Sequence, residues 1–202
     1  MRFINREREL ASLEDLWSRE GAQLVVVYGR RRTGKTTLLA HFVRQKPHIF
    51  WVADRFPSYT LLSDFSRIIY AAENPDEPVS REFTYPDWEM AFRAVGRLAR
   101  RKRLAVILDE FPYAVEAEPA LPSLLQRLWD HELKRTQVFL VLCGSHIGMM
   151  ERGLMAYHAP LYGRRTGQLL LRPMEFPAVR QFFPGWSAVQ HVTAYAILGG
   201  IP

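Results

Sequence analysis

The chain alternates between short, densely apolar runs and longer stretches in which apolar residues recur every three or four positions. Apolar runs bounded by turn residues are strand-like, whereas the longer spacing marks one face of a helix. Strands are predicted over residues 23–28, 48–53, 104–108, 138–143 and 169–171. Helices are predicted over residues 5–19, where Leu10, Leu13, Leu16 and Trp17 share a face, and over 36–45, 58–72, 86–101, 121–134, 175–182 and 187–198. Asn5 is placed to cap the first helix, with Glu7 and Glu9 near its positive end. The segment 73–86, which carries Asn74, Pro75, Asp76, Glu77 and Pro78, disfavours helix and strand alike and is expected as a surface loop.

Strands that alternate with helices define an α/β fold: a parallel sheet covered by helices on both faces. The third strand, Leu104-Ala105-Val106-Ile107-Leu108, is apolar throughout, as a strand buried on both sides should be. No repeat or low-complexity tract interrupts the pattern. With 202 residues, 48% hydrophobic and 24% charged, the chain has the composition of an ordinary globular domain with a substantial core. No stretch reaches the roughly 18 apolar residues of a membrane span, and Met1 to Arg6 lacks an apolar signal core, so a cytoplasmic protein without membrane association is expected.

The strongest chemical signal follows the first strand. Gly29-Arg30-Arg31-Arg32-Thr33-Gly34-Lys35-Thr36 has two glycines that let backbone N–H groups close on phosphate oxygens, a lysine for the β- and γ-phosphates and a hydroxyl for Mg²⁺. The helix that follows aims its positive end at the same point. The loop and the adjoining Thr37 are therefore the candidate cradle for ATP, with Lys35 on the phosphates and Thr36 on the metal.

Asp109-Glu110 follows the third strand at the carboxyl edge, where open α/β sheets bind ligands. Asp109 is assigned to the Mg²⁺ shell and Glu110 to the attacking water. Ser145, after the fourth strand, either bonds the γ-phosphate or the water, or caps the next helix. Arg164 and Arg165 precede the fifth strand; an inserted arginine accelerates phosphoryl transfer by roughly a thousandfold or more, and a structural ion pair or a nucleic-acid contact are the alternatives.

Charge adds less. The net charge is +6 and all but four of the 27 basic residues are arginine, which suits phosphate recognition, with genome composition as the equal alternative reading. The cluster Arg100-Arg101-Lys102-Arg103 is expected as a solvated helix end in preference to a nucleic-acid contact. The one cysteine, Cys143, lies in an apolar run and is expected as a buried, inert thiol; it excludes an intrachain disulfide.

Taken in order, these motifs resemble the archaeal-type AAA/STAND-like P-loop ATPases of the ASCE class. Phe3-Ile4-Asn5-Arg6-Glu7-Arg8-Glu9 is similar to the family's N-terminal signature, Leu108 to Tyr113 to its acidic motif, Gly144-Ser145 to its sensor position, Leu161 to Gly167 to the loop before its last strand, and Gly200-Ile201-Pro202 to its Gly-x-Pro motif. The resemblance implies a three-layer P-loop NTPase fold with strand order 5-1-4-3-2. It further implies adenine held between Ile4, Asn5 and Arg6, with Phe3 before them, and Pro202. It also implies a division into a core over residues 1–174 and the start of a truncated helical lid over 175–202, in a longer protein.

Three functions fit these residues. The first is Mg²⁺-dependent hydrolysis of ATP to ADP and phosphate. The second is a nucleotide-gated switch with little turnover, acting through DNA, a protein partner or self-association. The third, a small-molecule kinase, is disfavoured by Glu110 and by the lack of a dedicated acceptor pocket.

Overall fold

The structure, a computed structural model, describes residues 4–201. Five strands form one sheet: β1 (Gln23–Tyr28), β2 (His48–Val52), β3 (Leu104–Asp109), β4 (Val138–Gly144) and β5 (Gly167–Leu170), in the order β2-β3-β4-β1-β5. Every neighbouring pair is parallel. This is the expected order read from the other edge.

The three central strands β1, β3 and β4 are buried along their whole length, which is why their sequences are apolar without alternation. Successive side chains on a strand point to opposite faces, so each strand feeds two cores. On one face Val25, Val27, Ile107 and Val141 meet Leu13 and Leu16 of α1 (Glu7–Ser18) and Leu38, Leu39 and Phe42 of α2 (Lys35–Val43). On the other, Leu24, Val26, Val106, Leu108 and Leu140 meet α3 (Ser58–Glu73), α4 (Trp88–Arg101), α5 (Phe111–Ala117) and α6 (Leu121–His131). The result is helix, sheet and helix in three layers, with the loops after β1, β3 and β4 on one edge.

The remaining elements are short. A single turn, α7 (Ile147–Met150), runs into a π-helical turn at Glu151–Met155, and α8 (Phe176–Phe182) and α9 (Ala188–Leu198) follow β5. Ser187 and Gln190 close a capping box on α9, and the Met174 N–H donates to the Gly200 carbonyl at 2.7 Å, which holds the chain's end against the segment after β5.

Several boundaries differ from those predicted, each for a local reason. Asn5 does not cap α1: its backbone is left-handed (φ 53°), Arg6 occupies the N-cap position, and no side chain accepts a cap hydrogen bond there. The helix predicted from residue 86 begins at Trp88, because the Asp87 carboxylate accepts from the Met90 N–H at 2.7 Å and fixes the start. Helix α5 has no counterpart among the predicted elements: its seven residues are too few to show a period, and the signal that marks it is Pro112 in its first turn.

Candidate nucleotide site

The site is built where β1, β3 and β4 end. Gly29 leaves β1 so close to the segment after β5 that a Cβ on it would stand 2.2 Å from the Leu171 carbonyl oxygen. Only glycine allows that approach. The loop then turns through left-handed backbone at Arg32 (φ 63°) and Gly34 (φ 86°) and enters α2 at Lys35. Thr33 is buried and donates its hydroxyl to the Arg30 carbonyl at 2.9 Å, bracing the turn from inside.

Lys35 is buried as well. Its ammonium donates to the carbonyls of Gly29 at 3.1 Å and Arg30 at 2.9 Å. An ammonium has three protons, so two hold the loop and one has no partner among the described residues. Thr36 donates its hydroxyl to Asp109 Oδ2 at 2.6 Å, while Asp109 Oδ1 accepts from the Glu110 N–H at 2.9 Å. A hydroxyl and a carboxylate in contact at the edge of the cradle are hard oxygen donors of the kind Mg²⁺ takes. Thr37 lies exposed on the first turn of α2.

Glu110 is the one non-glycine residue in left-handed conformation at the sheet's acidic motif (φ 49°), and it forms the N-cap of α5. Backbone strain of this kind is held only where surrounding structure over-determines it. Here the surroundings are Ser145, whose hydroxyl and N–H donate to Glu110 Oε2 at 2.8 and 3.2 Å, and Pro112, which packs against Gly144 so closely that a Cβ there would be 2.7 Å from the ring. Of the two roles open to Ser145, capping is not seen; His146 holds the N-cap position of α7. Cys143, the residue before this pair on β4, is buried, and burial pushes its thiol well above the usual range.

The three loop arginines are exposed. Arg31 donates to the Tyr113 hydroxyl on α5, and the same ring carries the Arg55 guanidinium at 5.1 Å and the edge of His146 at 6.0 Å. The loop is thereby linked to the segments after β2, β3 and β4. Tyr113 and Arg55 were not singled out by the sequence, because neither residue type nor spacing marks a contact that exists only across three loops.

Arg6, for which an adenine-binding role is implied, is tied into the protein itself. Its guanidinium is buried and donates to the Thr33 carbonyl at 2.9 Å, the Arg172 carbonyl at 2.8 Å and Glu9 at 2.7 Å, clamping the loop to the segment after β5. Ile4 and Asn5 lie half-buried beside it. Phe3 and Pro202 lie outside the described residues.

Arg164 takes the structural alternative to an arginine finger. Its guanidinium donates to both carboxylate oxygens of Asp130 on α6, at 2.6 to 3.0 Å, and to the carbonyls of Pro160 and Tyr162. These bonds hold the Asp130 carboxyl below its usual range and the guanidinium above its own. Arg165 makes one long bond, 3.4 Å, to the Met155 carbonyl.

Comparison with known proteins agrees with this geometry. Residues 3–202 match the ATPase domain family found predominantly in Archaea, and the chain belongs to that family. An uncharacterised protein of Methanocaldococcus jannaschii is 36% identical over 200 residues, covering 99% of this chain and 42% of its own length. Among solved structures, a Walker-type ATPase of Pyrococcus abyssi is similar at a TM-score of 0.73 and 22% identity, covering 99% of this chain and 65% of that one. The Aeropyrum pernix ORC1 protein, solved in complex with DNA, is similar at a TM-score of 0.65 and 18% identity, covering 96% of this chain and 50% of that one. The chain thus spans less than two thirds of each of these proteins. What the family and the fold give is a P-loop ATPase domain, a type of domain that binds nucleotide. Among the described residues, no helix is long and apolar enough to cross a membrane.

Proposed function

We propose that this core hydrolyses ATP to ADP and phosphate with Mg²⁺, and that Glu110 prepares the attacking water. The observation that carries the reading is the division between two adjacent carboxylates: Asp109 is bound to Thr36 across the cradle, whereas Glu110 turns through strained backbone to a different partner, Ser145. Asp109 and Thr36 would hold the ion, which when bound supplies positive charge against the phosphate oxygens. Lys35 binds phosphate with its remaining proton. Glu110 accepts the proton of water as its oxygen attacks the γ-phosphorus, and the bond to the β-phosphate oxygen breaks. Ser145 positions the Glu110 carboxylate throughout. Steady-state phosphate release with Mg²⁺, and its loss on chelation with retained nucleotide affinity for Lys35-dependent contacts, tests the assignment.

A second reading, a nucleotide-gated switch with little turnover, draws support from the same contact. Ser145 engages one oxygen of Glu110 twice, so that oxygen must be shared or released before it can serve water, and a partner could control that step. Retention of ADP through purification with slow turnover favours this reading; fast multiple turnover removes it. We assign α8 and α9 to the beginning of a helical lid. DNA is the partner we favour, on the net charge of +6 and on a fold shared with an ORC1 protein solved with DNA.

A further inference from the structure

The edge of the sheet opposite the nucleotide site carries its own charge pattern. Three chain segments arrive there side by side: residues 44–47 before β2, 100–103 before β3 and 133–137 before β4. Backbone hydrogen bonds stitch them together, from Ala105 N to Pro47 O at 3.0 Å, from Leu104 N to Gln137 O at 3.4 Å and from Gln137 N to Ala99 O at 2.9 Å. The three segments contain eight arginines and lysines and no carboxylate.

Two of the eight are engaged in packing. Arg103 lies over the Trp17 ring at 4.9 Å and bonds the Gly21 carbonyl, and Lys46 pairs with Glu14 over Phe42. The other six, Arg44, Arg100, Arg101, Lys102, Lys134 and Arg135, are exposed and make no side-chain hydrogen bond or ion pair among the described residues, though the charge of Lys134 acts on the Asp130 carboxylate. Other arginines of α4 are paired: Arg93 with Glu89 and Glu132, and Arg97 with Glu73. Of the carboxylates before β1, Asp15 lies on α1 and pairs with Arg19, and Glu20 belongs to the approach to β1, beyond β4 in the sheet.

We propose that this edge is a docking surface for the phosphate backbone of duplex DNA. The inference rests on DNA as the partner favoured above. Adjacent strands lie about 4.8 Å apart, so the segments set a row of cations roughly 10 Å across before their side chains extend. Duplex DNA presents a charge about every 1.7 Å along its axis, and cations that replace its counterions make binding strongly salt-dependent. The three segments carry no aromatic side chain to stack on unpaired bases, which points to backbone contact with a duplex and to indifference to sequence. Because the surface lies opposite Gly29, Asp109 and Ser145, nucleotide and DNA occupy different edges.

The test is binding of the full-length protein to a fluorescent duplex between about 50 and 200 mM salt, with the variant Arg101→Ala/Lys102→Ala/Lys134→Ala/Arg135→Ala beside the wild type. The variant is expected to lose at least about 100-fold in affinity at the lower salt, and its log–log salt slope to become shallower by about 3 to 4. The milder pair Lys102→Gln/Lys134→Gln is expected to lower the slope by about 2, and ATP affinity measured on each variant serves as the check on folding. Unchanged affinity and slope in both variants, with a wild type that binds, overturns this surface alone. Loss of binding through Arg30→Ala/Arg32→Ala in its place, or tighter binding to a single strand or to anionic vesicles, does the same. A wild type that binds no duplex at low salt overturns both this surface and DNA as the partner.

Discussion

Ser145 and Glu110 share one oxygen: the serine hydroxyl and N–H both donate to Glu110 Oε2, at 2.8 and 3.2 Å. The contact joins the end of β4 to the strained residue after β3, and it fixes where the Glu110 carboxylate points. Ser145→Ala leaves the N–H donor and removes the hydroxyl. Turnover should fall about tenfold while ATP affinity stays within about twofold, because the contact acts on the reacting water and not on the bound phosphates. Parallel measurements of kcat and nucleotide Kd check this; a loss of affinity with unchanged kcat would assign Ser145 to ground-state binding.

Arg6 and Thr33 are 27 positions apart in sequence and joined at 2.9 Å. Arg6→Ala should leave the Thr33 and Arg172 carbonyls without a partner, destabilise the fold by about 2 kcal/mol and weaken ATP binding. For a chain of this size that is a fall in Tm of about 4–8 °C. Arg6→Lys should recover little, since one ammonium cannot reproduce a planar fork aimed at two carbonyls and Glu9. Thermal melts and nucleotide titration of the two variants decide it; a lysine variant with full stability would reduce Arg6 to a point charge.

The two glycines of the phosphate loop should differ in what they tolerate. Gly29→Ala places a methyl group on the Leu171 carbonyl and strains the β1–β5 junction, at a cost of about 3 kcal/mol or more. Gly34→Ala must hold left-handed backbone (φ 86°) and should cost about 1–2 kcal/mol for it. Denaturant midpoints of both variants separate the effects.

Arg164 and Asp130 form an ion pair that titrates in a definite direction. A carboxyl held below its unfolded value contributes stability above the unfolded pKa and loses it as pH falls through the folded one, so this contribution is complete at neutral pH, begins to fade near the unfolded value of about 4 and is lost only at pH below the folded one. Asp130→Asn should lower stability at pH 7 by about 1 kcal/mol and approach wild type at low pH, whereas Arg164→Ala should lose at least as much and keep part of that loss at low pH, because its bonds to the Pro160 and Tyr162 carbonyls do not titrate; the double variant should be no worse than Arg164→Ala. Additive losses would break the pairing. A collapse of turnover in Arg164→Ala with Asp130→Asn fully active would restore the arginine-finger role.

How much of this was legible in the sequence follows from the range over which each interaction acts. The strands, the loop from Gly29 to Thr36 and the pair Asp109-Glu110 are local patterns, and a parallel sheet brings the ends of β1, β3 and β4 to one edge. The α5 helix was hidden by its length, and the start of α1 by a left-handed Asn5, a conformation open to Asn but not the extended one that an N-cap takes. Partners such as Asp130 for Arg164, Tyr113 for Arg31 and the Thr33 carbonyl for Arg6 depend on which surfaces the fold apposes. A single sequence has no term for that.

The central claim is that Glu110 prepares water while Lys35, Thr36 and Asp109 bind nucleotide and ion. Glu110→Gln keeps size and hydrogen bonding and removes the base, so the direct measurement is ATP affinity and steady-state phosphate release of this variant beside the wild type. The account predicts affinity within about twofold and turnover reduced at least about 100-fold. Wild-type turnover in Glu110→Gln would contradict it.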